Sequence, residues 1–227
     1  MNKKELFNSI AKNYDRINDA ISLYNHRFFR KKAINRIDKN SPKKILDLCC
    51  GTGDICRLLS KKYPDAKIIG VDFSANMLEI ARKRLPDIEF IEHDIHILPF
   101  CNETFDICTI SFGLRNVDDL QKVIKEIHRV LKPDGIFLNL DLGKPNKFWN
   151  IFLKPYMYVI VPILGKFANG SGLPLKYFVH SNETFPAPDK LKEIYSDFGL
   201  IQIQRFDYLF GQISCQICKK IMKNALE

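Results

Sequence analysis

The sequence has no apolar run long enough to span a bilayer. Its greasiest stretch, Phe148 to Ala168, is broken by Lys154, Pro155, Pro162, Gly165 and Lys166, and the uncharged part, Pro155 to Gly165, holds 11 residues where roughly 20 are needed. Internal repeats and low-complexity tracts are also missing. Glycine and proline number only 11 each in 227 residues, too few for a collagen-like or disordered chain. What is left is one folded domain with enough chain to bury a core without staples. Seven cysteines, an odd number, sit behind no charged-then-apolar secretory start. Reduced thiols and a cytoplasmic location are therefore expected, not a disulfide framework. Cys215 and Cys218 have the spacing of a metal knuckle, but three residues apart on a strand they point to opposite faces. No second Cys/His pair lies near them, so no metal is expected.

Charge is plentiful and unevenly spread. The net charge of +9 divides into +6 over residues 1–40, −2 over 41–141 and +5 over 142–227. An acidic middle flanked by basic ends separates a central unit from its attachments.

Residues 2–38 read as two helices, with Ile17, Ile21, Tyr24 and Phe28 forming one apolar stripe. After Ser41-Pro42 the pattern alternates. Strands are predicted at KKILDLC, AKIIGVDF, IEFIEH, FDICTISF and GIFLNLDL, with helices over 54–62, 75–85 and 118–131. Such alternation predicts parallel strands with crossover helices, hence a doubly wound, Rossmann-like α/β sheet. Residues 144–186 interrupt the rhythm with an aromatic insertion. A helix (187–198) and two antiparallel-type strands (200–207 and 212–221) are expected to close the sheet. The expected organisation is a single domain: a helical cap over 1–41, a core over 42–143, the insertion, and a terminal unit over 187–227.

The strongest local signal is Asp47-Leu48-Cys49-Cys50-Gly51-Thr52-Gly53-Asp54, placed where the first strand turns into a helix. Gly51 and Gly53 let the backbone turn sharply and approach a ligand. Asp72 ends the second strand 19 residues after Gly53, where a carboxylate can accept two ribose hydroxyls. A dinucleotide site wants a third glycine and a helix N-terminus free for pyrophosphate. Here Cys56 occupies the glycine position and Asp54 opens the helix, so a pyrophosphate would be repelled. S-adenosylmethionine carries no phosphate, and its sulfonium and ammonium suit Asp47 and Asp54. Asp94, ending the third strand, is placed to accept from an adenine amino group, with Ile95 packing on the ring. Ser111, ending the fourth, lies where the crevice should hold the methionine and the acceptor.

Two longer stretches carry a resemblance. Tyr14-Asp15-Arg16-Ile17-Asn18-Asp19-Ala20-Ile21-Ser22 followed by His26, and TISFGLRNV (Thr109 to Val117) followed by RVLKPDGIFLNLDLGKP, resemble the signatures of the ubiquinone/menaquinone biosynthesis C-methyltransferase family within the class I S-adenosylmethionine-dependent methyltransferases. The likeness runs over roughly residues 5–221. Departures are Ile17 for the usual Met, Phe29 for Trp, Cys49 for a small Gly or Ala, Asp134, Asp141 and Gly143 for Gly, Glu and Ser, and Leu175 for a Tyr. The resemblance implies a seven-stranded sheet, S-adenosylmethionine as cofactor, and methylation of a ring carbon of a polyprenylated quinol, demethylmenaquinol first. Carried over by position, it assigns Thr52, Asp72, Asp94, Ile95 and Ser111 to the cofactor, and Arg115 and Asn116 to the acceptor.

A ring carbon becomes nucleophilic once its neighbouring hydroxyl, phenol-like with a pKa of roughly 10, gives up its proton. Arg115 can stabilise the phenolate but stays protonated. His26, Asp15 or a water positioned by Arg115 and Asn116 are the candidate proton acceptors. Aromatic residues of the insertion, from Phe148, Trp149, Phe152, Tyr156 and Tyr158 to Phe167, Tyr177 and Phe178, either line a channel for the prenyl tail or pack on the sheet. The competing readings are another small-molecule or lipid methyltransferase and a non-catalytic cofactor-binding module. A nucleic-acid partner is not expected: Ser111-Phe112-Gly113-Leu114 stands where an N/D-P-P-Y/F motif would, and no Pro-Cys nucleophile exists. The basic ends suit peripheral contact with an anionic membrane or simple solvation. The oligomeric state, a homodimer included, stays open.

Overall fold

The computed structural model describes residues 3–161, 163 and 181–221. Strands β1 (Lys44–Leu48), β2 (Lys67–Asp72), β3 (Glu89–Glu92), β4 (Phe105–Ser111), β5 (Leu131–Leu142), β6 (Leu200–Tyr208) and β7 (Ile213–Lys220) form one sheet in the order β3-β2-β1-β4-β5-β7-β6. The first five pair in parallel; β7 runs antiparallel to both β5 and β6. The two closing pairings are therefore antiparallel as expected, with β7 alone reversed.

The apolar strand residues alternate between two cores. Ile45, Ile107, Leu138 and Cys215 face helices α3 (Asn25–Asn35), α4 (Asp54–Lys62) and α5 (Ala75–Arg84). Leu46, Cys108, Phe137 and Cys218 face α6 (Leu120–Val130) and a later helix, α8 (Pro188–Asp197). Cys215 and Cys218 thus lie in different cores, as a period of two requires.

Strand order reverses between β1 and β4, so the crevice opens at their carboxyl ends. Two short helices, α1 (Lys3–Ile10) and α2 (Tyr14–Ser22), lie over that edge and bury Leu6, Ile10 and Ile17 together with Met77 of α5. Lys3 reaches from α1 to the Asn116 carbonyl at 2.9 Å and pairs with Asp118. Lys4 pairs with Glu92 at 2.7 Å.

The amino-terminal region departs from the two-helix expectation. Leu23 and Tyr24, both in the left-handed region (φ 49° and 63°), break the chain between α2 and α3. The apolar stripe ends there: Ile17 is buried, whereas Tyr24 and Phe28 are exposed. Helix α3 does not cap the sheet but packs on it, through Phe29, Ala33 and Ile34. In the insertion, α7 (Lys147–Pro155) continues into a wider π-helical turn over Tyr156–Ile160. Phe148 is exposed, and Trp149 stacks on Phe210 with ring centroids 3.6 Å apart. The expected tail-lining residues Phe167, Tyr177 and Phe178, together with Leu175, lie outside the described residues. Among the described residues no helix is long and apolar enough to cross a membrane.

Candidate functional site

Asp47 lies one residue before the end of β1, opposite Thr109 of β4. Its carboxyl accepts from Thr109 Oγ1 at 2.7 Å and from Cys56 Sγ at 3.3 Å. Burial pushes its pKa up to about 7 against those two bonds, so a proton and a charge lie close in energy there. Beyond it the chain turns through Cys49 (φ 52°), Gly51 and Gly53 into α4. Gly53, at φ 86°, would bring a Cβ within 3.0 Å of Leu85 Cδ1.

Asp72 is buried and holds the turn: its Oδ2 accepts from Gly51 N–H and its Oδ1 from Ser74 N–H, each at 2.9 Å. Burial raises its pKa, and those backbone bonds oppose the rise. A carboxylate has about four lone-pair sites, so two remain for a pair of hydroxyls. Asp94 is largely exposed and its Oδ1 accepts from His96 N–H at 2.9 Å. Burial alone would raise its pKa, but bonds from the His96 backbone and ring hold it below the ordinary carboxylate value. Ile95 beside it is buried.

Three neighbouring chambers with shared lining residues lie along this edge. The largest, about 440 Å³, is lined by Cys49, Phe73, Asp94, Ile95, Gly113 and Asn116 among others. A narrow middle chamber of about 20 Å³ is lined by Tyr14, Arg30, Asp47, Gly51, Thr52 and Ser111 among others. The third, about 320 Å³, includes Asn18, His26, Arg30, Phe112, Arg115 and Tyr156 in its wall. Cys49 borders the first two, and Tyr14 and Arg30 the second and third.

The site fits S-adenosylmethionine on several counts. The apolar side chain of Ile95 in the wall of the first chamber suits a purine, Asp72 has spare lone pairs, and a buried carboxyl lies in the middle chamber. Ser111 Oγ is buried there with no partner among the described residues, an orphan that a ligand would satisfy. Asp54 departs from expectation. Its carboxylate accepts from Arg30 Nη1 at 2.6 Å and lies 3.8 Å from Arg57 Nη2, so its charge is already matched, whereas Asp47 has no cation at hydrogen-bond distance among the described residues.

The acceptor-side candidates separate. Arg115 lines the third chamber; its Nη1 donates to buried Asp141 at 2.8 Å and to the Phe112 carbonyl at 2.9 Å. Its Nε is buried without a partner among the described residues. Asn116 instead lines the first chamber, and its Nδ2 donates to the Phe112 carbonyl at 3.2 Å. The short helical turn Leu114–Asn116 sends these two neighbours to different sides. Asp15 is also displaced from the acceptor wall. It accepts from Thr52 Oγ1 at 2.7 Å, pairs with Arg84, and ties α2 to the glycine loop.

His26 does lie in the third chamber, nearly buried. Ser22 has one hydroxyl proton and donates it to the Asn18 carbonyl at 2.5 Å. The Ser22 hydroxyl also lies 2.8 Å from His26 Nδ1, and His26 Nε2 lies 3.7 Å from the Asp19 carboxylate. Burial, followed by the Arg30 charge, lowers the pKa of His26 to about 4. The ring is neutral at pH 7.

Asn18, Tyr14, Arg30 and Asp141 escaped the sequence reading as site residues. A helical face was the available signal: Arg30 follows His26 by four residues, and Asn18 follows Tyr14 by four. Asn18 Nδ2 is another buried donor without a partner among the described residues.

Comparison with known proteins agrees with this geometry. The family model of the ubiE/COQ5 methyltransferase family matches residues 2–220. The chain is 41% identical to a demethylmenaquinone methyltransferase of Leptospira interrogans, covering 96% of this chain and 92% of that one. It is 40% identical to a demethylmenaquinone methyltransferase of Thermotoga maritima, covering 86% of each. Among solved structures, a SAM-dependent methyltransferase from Aquifex aeolicus superposes with a TM-score of 0.64 at 16% identity, over 87% of this chain and 92% of that one. Geranyl diphosphate C-methyltransferase from Streptomyces coelicolor, solved with S-adenosyl-L-homocysteine, gives 0.65 at 12% identity, over 86% and 79%. Those two likenesses concern the fold alone. With the family match spanning nearly the whole chain and relatives of about 40% identity covering most of it, the protein belongs to the ubiE/COQ5 methyltransferase family and is an S-adenosylmethionine-dependent methyltransferase.

Proposed function

We propose that the protein methylates a ring carbon of a prenylated demethylquinol, converting a demethylmenaquinol to a menaquinol. One observation carries the reading from the acceptor side. Two buried donors without partners, Arg115 Nε and Asn18 Nδ2, lie in the wall of an otherwise mostly apolar chamber. A hydroquinone ring offers two oxygens to such donors and an apolar body to Ile21, Phe29, Leu142 and Ile213 around them. The similarity to demethylmenaquinone methyltransferases supports the choice of ring.

S-adenosylmethionine, when bound, supplies an electrophilic methyl group on a sulfonium. Asp72 would hold its ribose, Asp94 and Ile95 its adenine, and Asp47, Gly51, Thr52 and Ser111 its methionine end. Arg115, fixed by Asp141, favours the ionised quinol hydroxyl and so lowers its pKa from roughly 10. Proton transfer from such a hydroxyl to His26, at about 4, is uphill by roughly six pH units before Arg115 acts. Transfer to water alone would be steeper still, so stabilisation of the phenolate by Arg115 has to close the gap, with His26 in the chamber wall as the stronger base beside it. The prenyl tail leaves past Leu23 and Leu209, which line the chamber and are exposed at its rim. Lys31 and Lys32 on neighbouring α3 are exposed as well, and we place this face against an anionic membrane, from the cytoplasmic side.

Incubation with labelled methyl donor and either demethylmenaquinol, a methoxy-polyprenyl-benzoquinol or tRNA tests the reading. Label is expected in the naphthoquinol first. Label in the benzoquinol alone would move the proposal to ubiquinone synthesis, and label in neither quinol would end it.

A further inference from the structure

The methionine end of the methyl donor carries an anion as well as a cation, and the charged residues placed at the cofactor so far are all anionic. Asp47, Asp72 and Asp94 are carboxylates. Among the residues lining the middle chamber, Arg30 is the sole cation, and it arrives from α3, outside the glycine loop. Its residue exposure is 7%. Nη1 donates to Asp54 at 2.6 Å, while the Nε–H is buried with no partner among the described residues. The guanidinium lies beside Phe112, 5.7 Å from the ring centroid, which leaves its plane little freedom to swing.

A guanidinium offers five N–H donors in a rigid planar fork, suited to gripping a carboxylate with two parallel bonds. Asp54 occupies one part of the fork and holds it in place. A second carboxylate beside Nε would complete the fork, in an enclosed place where charge-assisted bonds are strong.

We propose that Arg30 binds the carboxylate of the methyl donor's methionine end, with Asp54 as the positioning residue that holds the guanidinium across the middle chamber. This rests on reading that chamber as the methionine end of the cofactor site. It gives Asp54 a task the loop sequence did not suggest: its negative charge serves an arginine, and the arginine serves the ligand.

The test compares binding, by calorimetry, of S-adenosylhomocysteine and its decarboxylated analogue. The unmutated protein is expected to prefer the carboxylate-bearing ligand by about 10- to 100-fold. Arg30→Met and Arg30→Gln are expected to bind both ligands alike, at the level the analogue shows with the unmutated protein. An Arg30 variant that still discriminates fully overturns the proposal. Asp72→Ala should weaken both ligands equally; if it leaves both unchanged, the reading of the cofactor site fails instead. Should neither Arg30 variant fold, the Nε–H NMR signal of Arg30 in the unmutated protein provides the answer. It is expected to shift on adding S-adenosylhomocysteine and to stay in place with the analogue; the same response to both, or to neither, overturns the assignment.

Discussion

Arg115 and Asn116 are adjacent in the sequence and do different work. Arg115 lines the third chamber and is anchored through Asp141 and the Phe112 carbonyl, while Asn116 lines the first. Arg115→Ala is therefore expected to keep S-adenosylhomocysteine affinity within about twofold and to lower kcat by about 100- to 1,000-fold, the usual cost of removing one donor from a developing oxyanion. Calorimetry and single-turnover kinetics on the same sample check the split; parallel loss of both would assign Arg115 to the cofactor. At this scale the positions of Asp47, Thr52 and Asp72 along the crevice edge were legible because strand ends and a glycine loop fix where they must stand. Asp54 and Asp15 were not, because a carboxylate's partner can come from anywhere in the chain. Arg30 is 24 residues from Asp54, and Thr52 is 37 from Asp15.

Among the elements, the glycine loop and the turn after β4 press against each other. A Cβ at Gly113 would come within 2.5 Å of Cys49 Cβ and 2.9 Å of its Sγ. Cys49 itself sits at φ 52°, where a side chain costs roughly 1 kcal/mol relative to glycine. Gly113→Ala is expected to destabilise the protein by about 1–3 kcal/mol through overpacking, read as a lower thermal midpoint. Cys49→Gly should raise that midpoint alone and should recover most of the loss in the double variant, since the two changes share one contact. Additive effects would show that the two turns do not touch. The strands and crossover helices were readable from their periods, down to the bounds of α4. The break between α2 and α3 was hidden because Leu23 and Tyr24 take left-handed φ values without glycine or proline to announce them. The bonds from Leu23 N–H to the Ala20 carbonyl and from Tyr24 N–H to the Asp19 carbonyl close the α2 end.

Across the whole molecule, the charge division maps onto the fold. The −2 segment over 41–141 carries the crevice, with Asp47, Asp72 and Asp94 at the carboxyl edge of its strands. The +6 segment includes α3, whose Lys31 and Lys32 are exposed beside the rim residue Leu23. Each such Lys or Arg near an anionic surface contributes about 1 kcal/mol, lost as salt shortens the Debye length. Sedimentation with vesicles rich in phosphatidylglycerol is expected to capture the protein at low salt and release it at about 0.5 M, with Lys31→Glu/Lys32→Glu weakening capture. Salt-independent binding, or none, would leave the basic ends as solvated surface. The central claim concerns the acceptor atom. Incubating the protein with S-adenosylmethionine carrying a carbon-13 methyl group and demethylmenaquinol, then recording the product's NMR spectrum, reads that atom directly. A methyl resonance on the ring carbon is the predicted result, whereas a methoxy resonance, or a quinol recovered unlabelled from protein that binds the cofactor, would contradict it.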